Sequence, residues 1–352
     1  RVSAQTEIDG KPAIALEQSA FYPTSGGLPF DMGVINDIPV LNVIENKTHG
    51  LLHITENPVE SADVIGRICW GRRFDHMQQH TGQHLLSQVF IRQCKADTVS
   101  FHMGAESATL DLNQAGITDD TVAAVEVFAN RIIYENRNVS SKFVTARELD
   151  QYPVRKPPPV DDTIRIVEIE NFDYSPCGGT HCSRTGEIGV VKIIRFENYK
   201  GGTRIHFRCG LRALQDYQDK SIILGQIKDH LSAGEPDLLH NIKKMQSSLK
   251  SLRRELGNLK KEQLDHEARA IYSERGELAG INAVSKVFED RDPNELKMLA
   301  QKIVEKFPNT VVLFGTKAAG KASLLFLRSA DSPVDMGNLM KKACVVIEGR
   351  GG

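Results

Sequence analysis

The spacing of apolar positions changes character along the chain, and each change marks an element boundary. From residue 1 to about 72, short apolar runs alternate with turn residues: Ala13-Ile14-Ala15-Leu16, Val34-Ile35, Val40 to Ile44, Leu51 to Ile54 and Val64 to Ile68. Short strands at this spacing predict a small β-barrel or sandwich. From Asp75 the period lengthens. Met77, Leu85, Leu86 and Val89 fit an amphipathic helix that carries His76, His80 and His84 on one face, at i, i+4 and i+8. Gly82 inside that helix costs about 1 kcal/mol relative to alanine, so close approach of a partner or ligand is expected there. Thr98 to His102 and Ala108 to Leu112 read as strands, and Asp119 to Glu135 as a helix with two acids in its first turn, where the helix dipole favours them. Thr145-Ala146-Arg147-Glu148 has capping-box spacing for a further short helix. Pro157-Pro158-Pro159 ends that region, and Ile164 to Ile169 then reads as a strand leading directly to Cys177. Ile188 to Phe196 and Thr203 to Cys209 form a hairpin turned by Lys200-Gly201-Gly202.

Beyond Leu211, long proline-free helical stretches flank a break at Ser232-Ala233-Gly234-Glu235-Pro236. In the second arm Leu238, Ile242, Met245, Leu249, Leu252, Leu256 and Leu259 keep a 4,3 spacing, the seam of a coiled coil. An antiparallel helical hairpin is expected. The last segment reads as a small α/β unit, with a strand at 281–288, a helix at 293–306 opened by Asp292-Pro293, strands at 311–315 and 323–328, and a helix from about Asp335. The fold class is therefore α+β multidomain. We expect an N-terminal β-barrel at 1–72, an α+β domain at 73–212, a helical coiled-coil hairpin at 213–276 and a small C-terminal α/β domain at 277–352.

Composition narrows the classes. With 352 residues, 40% of them hydrophobic and 25% charged, the chain can bury a large core as an ordinary soluble protein. No apolar run approaches the roughly 18 residues that cross a bilayer, and the first residues contain no signal-peptide core, so a cytoplasmic protein without membrane association is expected. The chain opens without methionine and stops in Gly349-Arg350-Gly351-Gly352, so further residues are expected at both ends. The six cysteines are scattered apart from Cys177 and Cys182, which is no secreted disulfide framework. A formal net charge of −1 argues against a uniformly basic nucleic-acid binder, yet it conceals a local excess. The second helical arm carries Lys243, Lys244, Lys250, Arg253, Arg254, Lys260 and Lys261 against Glu255 and Glu262, which suits either phosphate contact or a solvated coiled-coil face.

Chemistry converges on two short motifs, His80-Thr81-Gly82-Gln83-His84 and Cys177-Gly178-Gly179-Thr180-His181. Together His80, His84, Cys177 and His181 are a mixed nitrogen and sulfur set that suits zinc. Such an ion either staples the fold or serves catalysis. A catalytic zinc usually keeps one coordination position open, whereas four protein ligands fill a tetrahedron. One ligand is then loose, or the ion becomes five-coordinate with substrate, or it chiefly orients the substrate while neighbours such as Gln83 activate water. A third stretch, Phe21-Tyr22-Pro23-Thr24-Ser25-Gly26-Gly27, combines hydroxyls with a glycine pair that lets a ligand approach the backbone; the simpler reading is a hairpin loop.

Taken in order, Phe21 to Gly27, Asp31-Met32-Gly33, the histidine pair at 80 and 84, Ser100-Phe101-His102-Met103-Gly104, Cys177 to His181 with Thr185-Gly186-Glu187-Ile188-Gly189, and Arg204 to Ala213 resemble the AlaX-type alanyl-tRNA editing proteins and the editing domain of alanyl-tRNA synthetase. The resemblance covers nearly the whole chain. The tail is similar to the C-terminal domain shared by alanyl-tRNA synthetases and some DHH phosphoesterases, as in the long free-standing editing factors. The resemblance implies a trans-acting hydrolase that removes a wrong amino acid, chiefly serine with glycine as a second candidate, from tRNA(Ala). It places zinc on His80, His84, Cys177 and His181, and an amino-acid pocket on Thr24, Ser25, Gly26 and Gly27. It points to a homodimer through the C-terminal domain, and Thr24 and Gln83 are the catalytic candidates, Gln83 or a tRNA hydroxyl as the activator of water. Leu28 departs from the pattern, since glutamine usually follows the glycine pair. Three other readings stand beside this one: the editing half of an alanyl-tRNA synthetase, a tRNA-binding module with structural zinc, and a phosphoesterase. The last lacks its Asp-His-His motif, because Met77 follows Asp75-His76.

Overall fold

A computed structural model describes residues 1–154, 163–318, 321–347 and 349; Pro157-Pro158-Pro159 and most of the glycine-rich end lie outside the described residues. Two compact units divide the chain, Arg1–Gln226 and Ile227–Gly352.

The first unit begins with β1 (Val2–Ile8), β2 (Lys11–Leu16), β3 (Gly33–Ile35), β4 (Ile38–Asn46), β5 (Gly50–Thr55) and β6 (Gly66–Ile68). All pair antiparallel in the order β1-β2-β5-β4-β3-β6. Among the described residues no ladder joins β1 to β6, so the expected barrel is an open sheet, and β1 is tied instead to the segment before β6 by Val2 N–H to the Ala62 carbonyl (2.8 Å) and Gln5 Nε2 to the Val59 carbonyl (2.9 Å). Alternation places Ile14, Ile35, Val40 and Val43 in its core beside Phe21.

Next comes α1 (Trp70–Cys94), which starts five residues before the expected Asp75: Trp70 and Phe74 extend the apolar spacing of Met77 backwards at i, i+4 and i+7, and their rings stack at 6.0 Å between centroids. Its buried stretch is unusually polar, since Gln78, Gln79, His80, Thr81, Gln83 and His84 are all buried. Buried amides require partners, and the fold supplies them. Gln79 accepts the Cys209 N–H (2.8 Å) and donates to the Cys209 carbonyl (3.1 Å), so its amide acts as an extra strand residue; Gln78 donates to the Glu187 carbonyl (2.9 Å). Gly82 has a steric reason: a Cβ there would overlap Cys209 Sγ and lie 3.5 Å from Ile188. The close approach expected at Gly82 is thus made by the protein's own core.

Around α1 lie β7 (Thr98–Met103), β8 (Ala108–Leu112), α2 (Asp119–Tyr134), β9 (Val139–Val144), α3 (Ala146–Leu149), β10 (Ile164–Ile169), β11 (Asp173–Pro176), β12 (Val191–Tyr199) and β13 (Gly202–Cys209), with a 3₁₀ turn at Thr185–Ile188. One antiparallel sheet runs β12-β13-β8-β7, a second β11-β10-β9. Leu85, Leu86, Val89 and Phe90 of α1 pack with Leu110, Ile133, Ile205 and Phe207 in the largest core. The capping box at Thr145 and Glu148 forms as expected. In this region two strands escaped the sequence reading. β9 is short and half polar, and β11 contains a proline; both exist because β10 pairs with them on its two edges. The chain therefore does not pass straight from β10 to Cys177: it reverses at Asn171 (φ 54°) and returns along β11.

α4 (Leu211–Leu231) crosses from the first unit into the second, which continues with a 3₁₀ turn at Glu235–Asp237 and the 36-residue α5 (Leu238–Ser273). There follow β14 (Gly276–Leu278), β15 (Ile281–Glu289), α6 (Pro293–Lys306), β16 (Thr310–Ala318), β17 (Lys321–Arg328) and α7 (Met336–Val346). The sheet order is β14-β15-β16-β17, with β15 and β16 parallel and joined by α6 as a β-α-β unit. Leu264, Ala268 and Ile271 near the end of α5 share one core with Leu296, Leu299 and Ile303 of α6 and Val312 and Phe314 of β16. No helix among the described residues is long and apolar enough to cross a membrane.

Candidate metal centre

Two histidines one helical turn apart on α1 meet the loop that leaves β11. His80, His84, Cys177 and His181 each offer one ligand atom, and the four atoms lie within 4.8 Å of one another. Cys177 Sγ stands 3.4 Å from His181 Nε2 and 3.6 Å from His80 Nε2, while the His80 and His181 rings stack at 4.1 Å between centroids. The loop reaches this position because the Cys177 N–H bonds to the Arg165 carbonyl (3.0 Å) and Arg165 Nη1 donates to the carbonyls of Cys177 (2.9 Å) and Gly179 (2.8 Å). Gly179 then passes directly over His80. A Cβ on it would overlap the His80 ring at Cε1 and come within 2.8 Å of Nδ1.

Each imidazole turns its Nδ1 outward to a different partner. His80 Nδ1 is 3.1 Å from the Thr180 carbonyl, His181 Nδ1 is 3.2 Å from Thr81 Oγ1, and His84 Nδ1 is 3.4 Å from Asp173 Oδ2. A carbonyl can only accept, so His80 carries its proton on Nδ1 and presents the Nε2 lone pair to Cys177. Ser175 Oγ donates to the same Asp173 oxygen (2.9 Å). Outer partners of this kind fix the tautomer and ring orientation of metal-ligating histidines. Burial, reinforced by the Arg165 charge, holds His80 down to about 4 against its backbone bond, which acts the other way. Burial, then the neighbouring His80 and His84, hold His181 well below the ordinary imidazole value. His80 and His181 are thus neutral at physiological pH, the form that binds a metal. The donor set, the outward Nδ1 partners and the glycine cradle fit a divalent ion such as zinc.

The Thr24 loop flanks this cluster. Ser25 and Leu28 exchange backbone hydrogen bonds (3.1 and 2.9 Å) around Gly26 (φ 58°) and Gly27 (φ 86°), a two-residue turn that needs positive φ at both centres. A Cβ on Gly27 would sit 3.2 Å from the Phe101 carbonyl, and Phe101 stacks on His80 at 5.9 Å. Leu28 is buried, its Cδ1 3.5 Å from the Cβ position of Gly179. Thr24 is exposed, and its hydroxyl has no partner among the described residues. Gln83 lies between the two helix histidines, but its Nε2 donates to Ser87 Oγ (2.8 Å), which also receives the Thr98 hydroxyl (2.7 Å). Lys243, Lys244, Lys250, Arg253, Arg254, Lys260 and Lys261 are all exposed on α5, Lys260 within 3.4 Å of Glu295. Arg165, Asp173 and Thr81 escaped the sequence reading. Thr81 sits inside the histidine motif and was discoverable there; nothing local marks Arg165 or Asp173.

Residues 164–206 match the family described as threonyl and alanyl tRNA synthetase second additional domain. The alanyl-tRNA editing protein AlaX-L of Pyrococcus horikoshii is 30% identical over 96% of this chain and 85% of its own length. The chain belongs to the alanyl-tRNA editing protein family. The mouse alanyl-tRNA editing protein Aarsd1 is 30% identical over 96% of this chain and 81% of its own. The alanine–tRNA ligase of Pyrococcus abyssi is 34% identical over 71% of this chain, but the match spans only 29% of the ligase. Within the editing-protein family the four clustered side chains, the glycine turn and the Arg165 clamp all lie in the part of the chain that the relatives share.

Proposed function

We propose that this protein hydrolyses, in trans, the ester that joins a wrong amino acid to tRNA(Ala), serine foremost and glycine second, with zinc held by His80, His84, Cys177 and His181. The observation that carries this reading is the convergence of those four side chains beside a solvent-facing Thr24 turn, in a chain whose full-length relatives are editing proteins. The match to AlaX-L runs over 96% of this chain and that to the ligase over 71%, which favours an editing-protein reading over a synthetase half.

Hydrolysis adds water across the ester, breaking the carbonyl carbon to ribose oxygen bond and leaving the free amino acid and a tRNA hydroxyl. Held by His80, His84, Cys177 and His181, a zinc ion would lower the pKa of a water to about 7 or polarise the ester carbonyl. The chain's own residues do the placing. Thr180, Thr81 and Asp173 hold the three rings, Arg165 holds the loop, and Ser25, Gly26 and Gly27 shape the pocket wall. With its Nε2 bound to Ser87, Gln83 has its Oε1 left to orient an attacking water. Thr24 reads the substrate. Cognate alanine is smaller than serine and cannot be excluded by size, so selection requires a group that serine has and alanine lacks. A site that hydrogen-bonds a substrate hydroxyl can reject the analogue without it by about 10⁴- to 10⁵-fold, because the partner is left unpaired.

The test is deacylation of seryl-, glycyl- and alanyl-tRNA(Ala) by the zinc-loaded protein and by Thr24→Val, which keeps the shape and removes the oxygen. We expect a lower rate on the seryl substrate and a smaller preference for serine over alanine, with zinc content unchanged. Zinc bound at one per chain without any deacylation indicates a structural ion in a tRNA-binding module. We further propose that the basic face of α5 contacts tRNA phosphates. Each contact contributes about 0.7 to 0.9 to the slope of log affinity against log salt. Neutralising Lys250, Arg254 and Lys261 together should flatten that slope by about 2 to 3; an unaltered slope removes them from the tRNA surface.

A further inference from the structure

One guanidinium holds both ends of the loop that carries Thr24. Arg73, near the start of α1, donates through Nη2 to the Ala20 carbonyl (2.6 Å), where the loop begins, and through Nε to the two carboxylate oxygens of Asp31 (2.9 and 3.0 Å), where it ends. Arg73 Nη2 also bonds to Asp31 Oδ2. Asp31 then closes the loop on itself, since Oδ2 accepts the Tyr22 N–H (2.6 Å) and the Asp31 N–H donates to the Tyr22 carbonyl (2.9 Å). The side chain of Asp31 is 2% exposed and that of Arg73 12%.

A buried pair of this kind adds little net stability over an apolar pair of similar volume. What it supplies is a single geometry. The planar fork fits a carboxylate in one orientation, and a shifted partner leaves a buried charge unmatched.

The pair links two parts of the site that stand on different elements. Thr24 lies on the loop between β2 and β3, and its N–H bonds to the Val43 carbonyl of β4 (3.3 Å). His80 and His84 lie on α1. Arg73 precedes His80 by seven residues, so it falls on nearly the same face, about 10 Å away along the axis. Because one continuous helix carries the guanidinium and both histidines, the place of Thr24 relative to those ligands is set through Arg73 and Asp31. We propose that Arg73 and Asp31 are positioning residues for substrate selection: the pair fixes Thr24 against the metal centre and so sets the preference for serine over alanine. This role rests on the editing reaction proposed above.

Arg73→Lys keeps both charges and removes the fork. Its kcat/KM on seryl-tRNA(Ala) should fall by about 10²-fold, the effect of a displacement of about 1 Å at a reacting centre. The preference for serine over alanine should shrink by at least about 10-fold, because the bond to the serine hydroxyl is the one misplaced. Zinc affinity should stay within a factor of about two of the parent's. A merely structural role would slow both substrates alike or release the metal. Asp31→Asn, isosteric and able to keep the Tyr22 bond, supplies the same readouts independently, and the double variant should be little worse than the more damaged single one, since both act through one pair. Loop position is also read without substrate. Amide exchange at Tyr22, Leu28 and Asp31 should accelerate by at least about 10-fold in either variant, with Leu85 and Leu86 of α1 unchanged. Unaltered exchange at the three loop amides, a serine preference equal to the parent's, or zinc lost in step with activity overturns the proposal. A parent without deacylase activity refutes the editing reaction and the selective role with it, while accelerated exchange would still show the pair holding the loop.

Discussion

Cys177→Ala is expected to release the metal and to lower deacylation of seryl-tRNA(Ala) by at least about 10³-fold. A bound metal contributes several kcal/mol to transition-state stabilisation, and each loss of about 1.4 kcal/mol is tenfold in rate. The thiol is the only sulfur donor in the cluster and stands within 3.6 Å of both His80 and His181. Alanine removes a charge and a bond, and three neutral imidazoles bind zinc less tightly than the set with a thiolate. The loop itself should persist. The backbone bond from Cys177 N–H to Arg165 and the two bonds from the Arg165 guanidinium do not use the sulfur, and within the loop only the long Gly179 N–H bond to Sγ (3.4 Å) is lost. Metal analysis of the purified variant, circular dichroism and a deacylation assay separate the outcomes. Full activity in a folded, zinc-free variant refutes the metal-dependent reading.

Gly179→Ala should be nearly as severe, and Gly178→Ala nearly silent, although the two glycines are neighbours. A methyl on Gly179 overlaps the His80 ring, which is also stacked against His181 and Phe101, so the ring cannot retreat without leaving the cluster. The displaced ring loses its Thr180 bond and its ligand position together. We expect zinc affinity to fall by at least the 10- to 100-fold typical of disrupting a ligand's outer support. A Cβ on Gly178 has nothing within 4 Å, so the same substitution one residue earlier should leave affinity and rate within a factor of about two. Competition with a chromophoric chelator measures both. Equal affinities for the two variants would show that the loop is looser than its Arg165 clamp indicates.

Much of this was legible in the chain. The histidine pair announces itself because a helix repeats every 3.6 residues, so positions 80 and 84 share a face whatever surrounds them. The glycine pair at 26 and 27 follows from a turn that demands positive φ twice, and the Cys-Gly-Gly-Thr-His run has the ligand types for zinc. Local patterns also located most strands, the three long helices and the capping box at Thr145. They failed at β9 and β11, whose existence depends on the edges of β10, at the three-residue β14, which exists by pairing with β15, and at the start of α1, where Trp70 and Phe74 carry the apolar spacing one turn further back than Asp75. A barrel was expected from strand spacing alone, but closure depends on whether the first and last strands find each other, and spacing says nothing of that.

The sequence by itself determined which side chains could bind a metal and which helix faces were apolar, because both are set by residue type and a fixed backbone period. Only the tertiary structure decided that Cys177 comes to within 3.6 Å of a histidine 97 residues earlier, that Asp173 and Thr180 stand behind the imidazoles, and that Gly82 exists to admit Cys209. It also decided which apolar stripe of α5 is buried, since Leu264, Ala268 and Ile271 pack against α6 and β16 while the seam from Ile242 to Leu259 stays exposed. Such contacts join residues far apart in the chain. Their geometry is the outcome of the whole core closing at once, and no local pattern carries it.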